Sequence, residues 1–141
     1  MAKFVPNEFK ITVISGFINT TLYAFLINDP SNLIGEGSSM SNAAALEISS
    51  AGGYTRKLVT LGTPNINAGV ANIQAPQIIW TATANMTFTK ICYARNATAT
   101  LANTQGTLVR VEDVPGNTIT LVSGQSFRHT ATFEVSGSVA A

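Results

Sequence analysis

The chain has 141 residues, of which 45% are hydrophobic and only 11% are charged, and its formal net charge at pH 7 is +1. Soluble domains carry roughly 25% charged residues, which keep their surfaces hydrated and mutually repelling. Eight basic residues against seven acidic ones leave no positive footprint for nucleic acid. The composition therefore argues against a nucleic-acid-binding protein. It favours a structural subunit that its neighbours partly cover, and we expect a homo-oligomer.

Secretion, membrane insertion and metal binding are also disfavoured. The lone Cys92 cannot form an intramolecular disulfide and has no second cysteine at a metal-ligand spacing. The first residues lack the basic start, apolar run and small-residue cleavage site of a signal peptide. The longest apolar run, TLYAFLI at residues 21–27, is far shorter than the ~20 residues that span a bilayer. We therefore expect one domain over residues 1–141 with no membrane contact.

A short helix is predicted at residues 7–17, with Asn7 as its N-cap and Gly16 at its end. Four apolar residues share one face of this helix: Phe9, Val13, Ile14 and Phe17. The β-branched run ITVI would serve equally well in a short strand. We favour the helix, and we expect residues 1–6 to form an extended arm before it.

A continuous apolar strand follows at residues 21–28, where both faces are expected to be buried. The turn DPSN at residues 29–32 ends it. The next stretch, residues 31–53, is a loop without periodicity, apart from AAALEI, which suits one helical turn or a short strand. Because long loops are often assembly elements, we expect residues 32–51 to form an extended arm that becomes ordered on contact with other chains. The next strand is predicted at residues 54–61.

The second half of the chain alternates strands with turns. Strands are predicted at 76–82, 86–95 (a central strand, since neither face is polar), 107–114, 118–122 and 126–135. The turn at 123–125 would join the last two as a closing hairpin. If residues 78–88 also form a hairpin, Trp80 and Phe88 share one core layer, with Phe133 as the third member.

The order of these elements predicts a mainly β protein. The architecture expected is a single β-sandwich or jelly-roll-like domain with a short N-terminal helix and a long loop after the first strand. The last residues, 136–141, are expected to form a second extended arm.

Four stretches of the chain carry distinctive motifs: LYAFLINDP at 22–30, AGGYTRKLVTLG at 51–62, IIWTATANMTFTKICYAR at 78–95 and TITLVSGQSF at 118–127. Taken in order, they resemble a family of small bacteriophage virion proteins of the decoration or tail-fibre-like type. Members of that family carry an N-terminal helix, a GGGYARQxVTFG segment, a Trp-containing strand and a closing VTVxAGDT hairpin. Gln125 stands where the family usually has Asp, and the Gly- and Ser-rich residues 31–51 match nothing in it. The resemblance implies a β-domain that belongs to a virion.

The GGYTR segment is the most distinctive of these motifs. Gly52 and Gly53 allow a positive φ or a close backbone approach before the strand. Tyr54 and Arg56 fall on one face, where a guanidinium can stack on the ring or clamp a carboxylate. Two interpretations stay open: Tyr54 and Arg56 make an inter-subunit contact, or they form an intramolecular lock on the loop at 31–51.

No arrangement of residues indicates catalysis. His129 is the only histidine, and a nucleophilic triad would have to recruit Asp29 or Asp113 without a Gly-x-Ser-x-Gly turn. The glutamates are dispersed, so no pair is placed to face one cleft as glycoside hydrolysis requires. The adjacent Glu112 and Asp113 could bind a cation, but an acidic pair beside a turn is usually solvated. We expect no enzymatic activity, no metal and no cofactor, and we expect His129 to be an exposed or interface strand residue.

The sequence therefore predicts a non-enzymatic virion protein, made in the host cytoplasm, whose partners are the major capsid protein or other virion proteins. The first interpretation is a capsid decoration or cement protein that stabilises the shell by protein–protein contacts. The alternative is a tail- or fibre-associated module that binds other virion proteins or host-surface carbohydrate. Exposed aromatic residues in a loop cluster would favour carbohydrate. Since Tyr23, Tyr54 and Tyr93 all fall in predicted strands, the assembly interpretation is favoured.

Overall fold

A computed structural model describes residues 6–16 and 21–135 of the chain. Helix α1 spans Asn7–Ser15, α2 spans Met40–Ala44, and a single 3-10 turn covers Ser50–Gly52. The strands are β1 (Leu22–Ile27), β2 (Lys57–Val59), β3 (Asn65–Asn67), β4 (Val70–Gln74), β5 (Ile78–Thr81), β6 (Met86–Phe88), β7 (Lys90–Arg95), β8 (Thr107–Asp113), β9 (Ile119–Leu121), β10 (Ser126–His129) and β11 (Thr132–Val135). The predicted class is confirmed: the protein is mainly β, with a short N-terminal helix and a long connection after the first strand. A jelly-roll order of the strands stays a prediction.

The chain groups into two compact units. Unit 1 comprises Met1–Thr20, Thr60–Gln77 and His129–Ala141, and unit 2 comprises Thr21–Val59 and Ile78–Arg128. Unit 1 therefore holds α1, β3, β4 and β11, while the other strands, up to Arg128 of β10, belong to unit 2. The expectation of one domain over residues 1–141 stays a prediction.

Unit 1 is built on a three-stranded antiparallel sheet in the order β11-β4-β3. The β3–β4 hairpin was not predicted from the sequence. Its turn contains Ala68 with φ 49° and Gly69 with φ 79°, which is the doubly left-handed backbone of a tight hairpin. The usual signal for this turn is Asn-Gly or Asp-Gly. Because alanine rarely adopts a positive φ, the Ala-Gly pair gave no such signal.

The buried face of α1 differs from the predicted one. Phe9 and Val13 are exposed, by 58% and 43%, whereas Lys10 and Ile14 are buried. The Lys10 Nζ donates to the Gly69 carbonyl oxygen at 2.5 Å, in the β3–β4 turn. Asn7 is not the N-cap, because Pro6 occupies that position without a side-chain hydrogen bond. The predicted fourth member of the apolar face, Phe17, lies outside the described residues.

The main sheet of unit 2 has the order β2-β1-β7-β8, with every pair antiparallel. β1 and β7 are its central strands and are almost wholly buried, as the two apolar runs predicted. The predicted strand at 86–95 is divided into β6 and β7 at Thr89. There the Thr89 N–H donates to the Ile27 carbonyl oxygen at 2.9 Å, and the Thr89 hydroxyl accepts from the Asp29 N–H at 2.7 Å.

The predicted closing hairpin is wrong. β9 pairs with β6, β10 pairs with β5, and β11 pairs with β4 in the sheet of unit 1. The turn at 123–125 bonds instead to Ala82: the Ala82 N–H donates to the Gln125 carbonyl, and the Gly124 N–H to the Ala82 carbonyl, both at 2.8 Å. This turn therefore joins β9 and β10, which belong to two different small sheets and do not pair with each other. No local sequence pattern encodes this change of partner.

The aromatic core of unit 2 follows from these pairings. Phe127 of β10 lies 6.1 Å from the Trp80 ring in a stacked arrangement and 5.0 Å from the Phe88 ring. Trp80 and Phe88 thus share one core cluster, as predicted, although β5 and β6 do not form a hairpin. Phe127 is a further member of this cluster, and the predicted membership of Phe133, on β11 in unit 1, stays a prediction.

The connection at 32–51 was expected to be an extended arm, and this is wrong. Ser39 and Asn42 form a capping box that starts α2, and Met40, Ala43 and Ala44 are buried. The end of the connection lies along β1, since the Ile48 N–H donates to the Leu26 carbonyl at 3.2 Å. The segment is therefore folded on its own chain. The predicted terminal arms, 1–6 and 136–141, lie outside the described residues except for Pro6.

Replacing Trp80 with alanine should lower the free energy of unfolding by about 3–5 kcal/mol, the range for a buried large aromatic. The side chain is 1% exposed, and its Nε1 donates to the Thr55 carbonyl oxygen at 2.8 Å. Urea denaturation measures the loss. The control is Ile79→Ala at the neighbouring position, which is 39% exposed and should cost far less. Equal losses for the two variants would contradict the core assignment.

Candidate functional site

The Gly-Gly-Tyr-x-Arg motif forms a rigid corner between the long connection and β2. Gly53 has φ 80°, which an L side chain rarely adopts. A Cβ atom on Gly52 would lie 3.2 Å from the carbonyl oxygens of Ala84 and Asn85, so this backbone passes close to the β5–β6 loop. Both predicted uses of the glycines are thus present, one at each position. The corner directs Tyr54 and Arg56 into the interior.

Arg56 clamps the carboxylate of Glu47. The Arg56 Nη2 lies 2.7 Å from Glu47 Oε1, and its Nε lies 2.9 Å from Oε2, a two-point contact of guanidinium and carboxylate. Neither side chain has any exposed surface. The guanidinium carbon lies 5.0 Å from the centre of the Phe25 ring on β1. The predicted ability to hold a carboxylate and an aromatic ring is therefore used on Glu47 and Phe25.

The same pair holds the loop at residues 96–106. The Arg56 Nη1 donates to the Thr98 carbonyl oxygen and the Nη2 to that of Asn103, each at 3.0 Å. From the loop side, the Ala102 N–H donates to Glu47 Oε1 at 2.6 Å. One ion pair therefore connects the long connection, β2 and the β7–β8 loop.

Tyr54 completes the network. Its hydroxyl donates to Glu47 Oε2 at 2.5 Å and accepts from the Leu26 N–H at 3.0 Å, which ties the carboxylate to β1. Burial raises the pKa of Tyr54 far above its ordinary value, and the Glu47 carboxylate raises it further. Burial likewise raises the pKa of the Cys92 thiol to about 12, with the Glu47 charge adding to the effect. Both groups therefore keep their protons at neutral pH.

These contacts support the intramolecular lock. Tyr54 is 1% exposed and Arg56 is 5% exposed, so neither offers a polar group to a second subunit directly. The pairing of Arg56 with Glu47 was not predicted from the sequence. The available signal was proximity, because Glu47 is the only acidic residue between Glu36 and Glu112. A buried arginine in this part of the chain has no other near carboxylate in sequence.

A second polar cluster lies just after the C-terminal end of β1. The Asp29 carboxylate accepts from the Leu33 N–H at 2.8 Å and from the Ile34 N–H at 2.9 Å, which fixes the start of the long connection. Lys90 Nζ donates to Asn32 Oδ1 at 2.9 Å and to Asp113 Oδ1 at 2.7 Å. Burial raises the Asp29 pKa, but the two backbone N–H groups and the Lys90 charge outweigh it and leave the pKa below its ordinary value.

An open cleft of about 420 Å³ runs beside β8, above this cluster. One wall is formed by β8 residues 108–111, and the other by residues 34–38 of the long connection. Lys90 and Asp113 lie at its end. Among the described strands, β8 pairs only with β7 and is thus an edge strand of the main sheet. The cleft lies between this strand and the long connection.

The remaining candidate residues are dispersed. Glu112 pairs with Arg110 at 2.9 Å, whereas Asp113 pairs with Lys90, so the adjacent acids serve different partners. His129 ends β10 and is half-buried. Within residues 6–16 and 21–135, no three His, Cys, Asp or Glu side chains lie close enough to hold a metal ion. No helix in these ranges has the length and hydropathy to cross a bilayer.

Comparison of the chain with protein-family models, characterised proteins and solved structures finds no match.

Removing one partner of the Glu47–Arg56 pair should strongly destabilise the protein. Arg56→Met leaves a buried, unpaired carboxylate, and we expect a loss of about 3–5 kcal/mol in the free energy of unfolding. The control is Arg128→Met, at an exposed position of β10, which should change the free energy of unfolding by about 1 kcal/mol or less. Urea melts of both variants measure this, and similar values for the two would contradict the proposed role of the buried pair.

Asp29→Asn should destabilise the protein in a pH-dependent way, by about 1–3 kcal/mol at neutral pH. Since the Asp29 pKa is lowered on folding, the carboxylate contributes stability above its unfolded pKa of roughly 4, and this is lost as pH falls through the folded value. The difference in the free energy of unfolding between wild type and variant should therefore become smaller at acid pH. Denaturant melts from neutral pH down to acid test this. Glu36→Gln, at an exposed carboxylate in the same connection, is the control, and a gap that is constant with pH would contradict the prediction.

Proposed function

We propose that the protein is a non-enzymatic structural subunit of a bacteriophage virion, a decoration or cement protein that stabilises the capsid shell through contacts with the major capsid protein. The observation that carries this proposal is the location of charge. Three of the eight basic residues, Lys10, Arg56 and Lys90, are buried and hold loops of their own chain. A chain that is already poor in charge thus keeps still less of it on the surface, which suits contact with other proteins.

Exposed apolar side chains add to this argument. Leu33 is 70% exposed, Leu58 is 60% exposed and Val122 is 48% exposed, and all three belong to unit 2. Scattered exposed apolar residues need no explanation by themselves, but Leu33 and Val122 have no charged residue within two positions on either side. A surface poor in charge that exposes apolar side chains shares one property with the centres of protein interfaces, which are depleted in charged residues.

The positions of the aromatic residues argue against carbohydrate binding as the main role. Trp80 and Tyr54 are each 1% exposed, and Tyr93 has no exposed surface. A sugar platform needs such rings at the surface, where one face can meet the ligand. The burial of these three rings therefore supports assembly over the recognition of host-surface sugar.

Locating the chain in virions of the phage that encodes it tests the proposal. We expect mass spectrometry to find the protein in purified particles and cryo-electron microscopy to place its density on the outer capsid lattice. Added to particles that lack it, the purified protein should raise the temperature at which the shells release DNA. Density on the tail would support the tail- or fibre-associated alternative. A chain absent from purified particles would overturn both.

A further inference from the structure

The open edge of β8 carries a pattern of charge and hydrogen-bonding groups that is complementary to itself. β8 has seven residues, TLVRVED, and is one edge of a four-stranded sheet. Such an edge presents unpaired backbone N–H and C=O groups to any strand that approaches. Arg110 and Glu112 lie two residues apart, so their side chains share one face of β8, and about one-third of each side chain is exposed. Val111 lies between them on the other face and is 37% exposed.

The register of the sheet shows which backbone groups point outward. The Val114 N–H donates to the Thr89 carbonyl oxygen, and Glu112 and Arg110 lie opposite Ile91 and Tyr93 of β7. Because hydrogen-bonding direction alternates along an antiparallel strand, residues 110, 112 and 114 bond toward β7. The N–H and C=O groups of Val111 and Asp113 therefore point toward the open edge.

A two-fold axis perpendicular to the sheet leaves few ways to pair β8 with a second copy. Such an axis keeps each side chain on its own face, so one residue must lie opposite its own copy. If that residue were Arg110 or Glu112, like charges would meet directly, which is destabilising. If it is Val111, Arg110 of each copy lies opposite Glu112 of the other.

We propose that two copies of the chain associate by antiparallel pairing of β8 about a two-fold axis at Val111, with two Arg110–Glu112 pairs between the copies. The outward N–H and C=O groups of Val111 then bond to those of its copy. The Arg110–Glu112 pairs fall at positions without hydrogen bonds, where side chains of neighbouring strands come closest. In this pairing the incoming strand would occupy the cleft of about 420 Å³ beside β8. The inference gives a surface and a register to the homo-oligomer of the proposed function and rests on that part of it.

Charge exchange tests the pairing. Arg110→Glu and Glu112→Arg each place like charges opposite one another in the homodimer, and each should raise the dimer dissociation constant by about tenfold or more. When the two variants are mixed, every cross-strand pair is again of opposite charge, so a heterodimer should form with near wild-type affinity. Repulsion within one chain, which both variants also contain, cannot be relieved by mixing. Sedimentation velocity of the full chain measures all three samples.

A backbone variant and a control complete the experiment. Val111→Pro removes the outward N–H without removing a bond to β7, and it should abolish dimers while circular dichroism stays that of the wild type. Lys57→Glu, on β2 at the other edge of the same sheet, should leave the dimer unchanged. The proposal would be overturned by a monomeric wild type, or by a dimer that neither the charge variants nor Val111→Pro weakens. A monomeric wild type would overturn it even if β8 were found to pair with a different protein. A dimer that is absent from virions would contradict only the proposed function.

Discussion

The buried pair of Glu47 and Arg56 is the interaction on which the architecture of unit 2 depends. It joins three pieces that are distant in sequence: the long connection, β2 and the β7–β8 loop. These pieces are rich in Gly, Ser, Thr, Ala and Asn, which have too little apolar area to fix a loop by packing alone. Directional bonds from one guanidinium supply the geometry instead. A buried ion pair is weak evidence of net stability, but here it sets which loop lies against which strand.

Other buried charged side chains also hold loops and turns by hydrogen bonds. Lys10 holds the β3–β4 turn, Asp29 holds the start of the long connection, and Lys90 bonds to Asn32 in that connection. Among the described residues, no buried side-chain nitrogen or oxygen lacks a hydrogen-bond partner. Such complete pairing is what makes buried charge tolerable, since an unpaired polar atom would cost far more than its bond contributes. The few charged residues of this chain therefore include several buried ones, which form hydrogen bonds with backbone groups of loops.

Sequence patterns predicted the elements of this fold better than their partners. The apolar runs of β1 and β7 indicated central strands, and the Gly52-Gly53 corner indicated strained, close-packed backbone, because each depends on local chemistry. The pairing of β9 with β6 and of β10 with β5 depends on contacts between distant segments, and proximity in sequence misled the prediction of a closing hairpin. On α1, the apolar pattern favoured Phe9 over Lys10. The helix buries Lys10 because its ammonium group reaches a carbonyl that only the folded hairpin provides.

The distribution of charge also explains why one edge of the main sheet differs from an ordinary protected edge. Natural edge strands are commonly protected by charged side chains, especially lysines. These charges disfavour pairing with a second copy as well as with a foreign strand. β8 instead alternates Arg110 with Glu112 around a central valine, and opposite charges at this spacing repel in some registers and attract in one. Such an edge selects its partner and its register rather than refusing all partners. In a chain that places most of its anchoring charge inside, the proposed pairing of β8 gives the two opposite charges at this edge a role, because they would set the register of the interface.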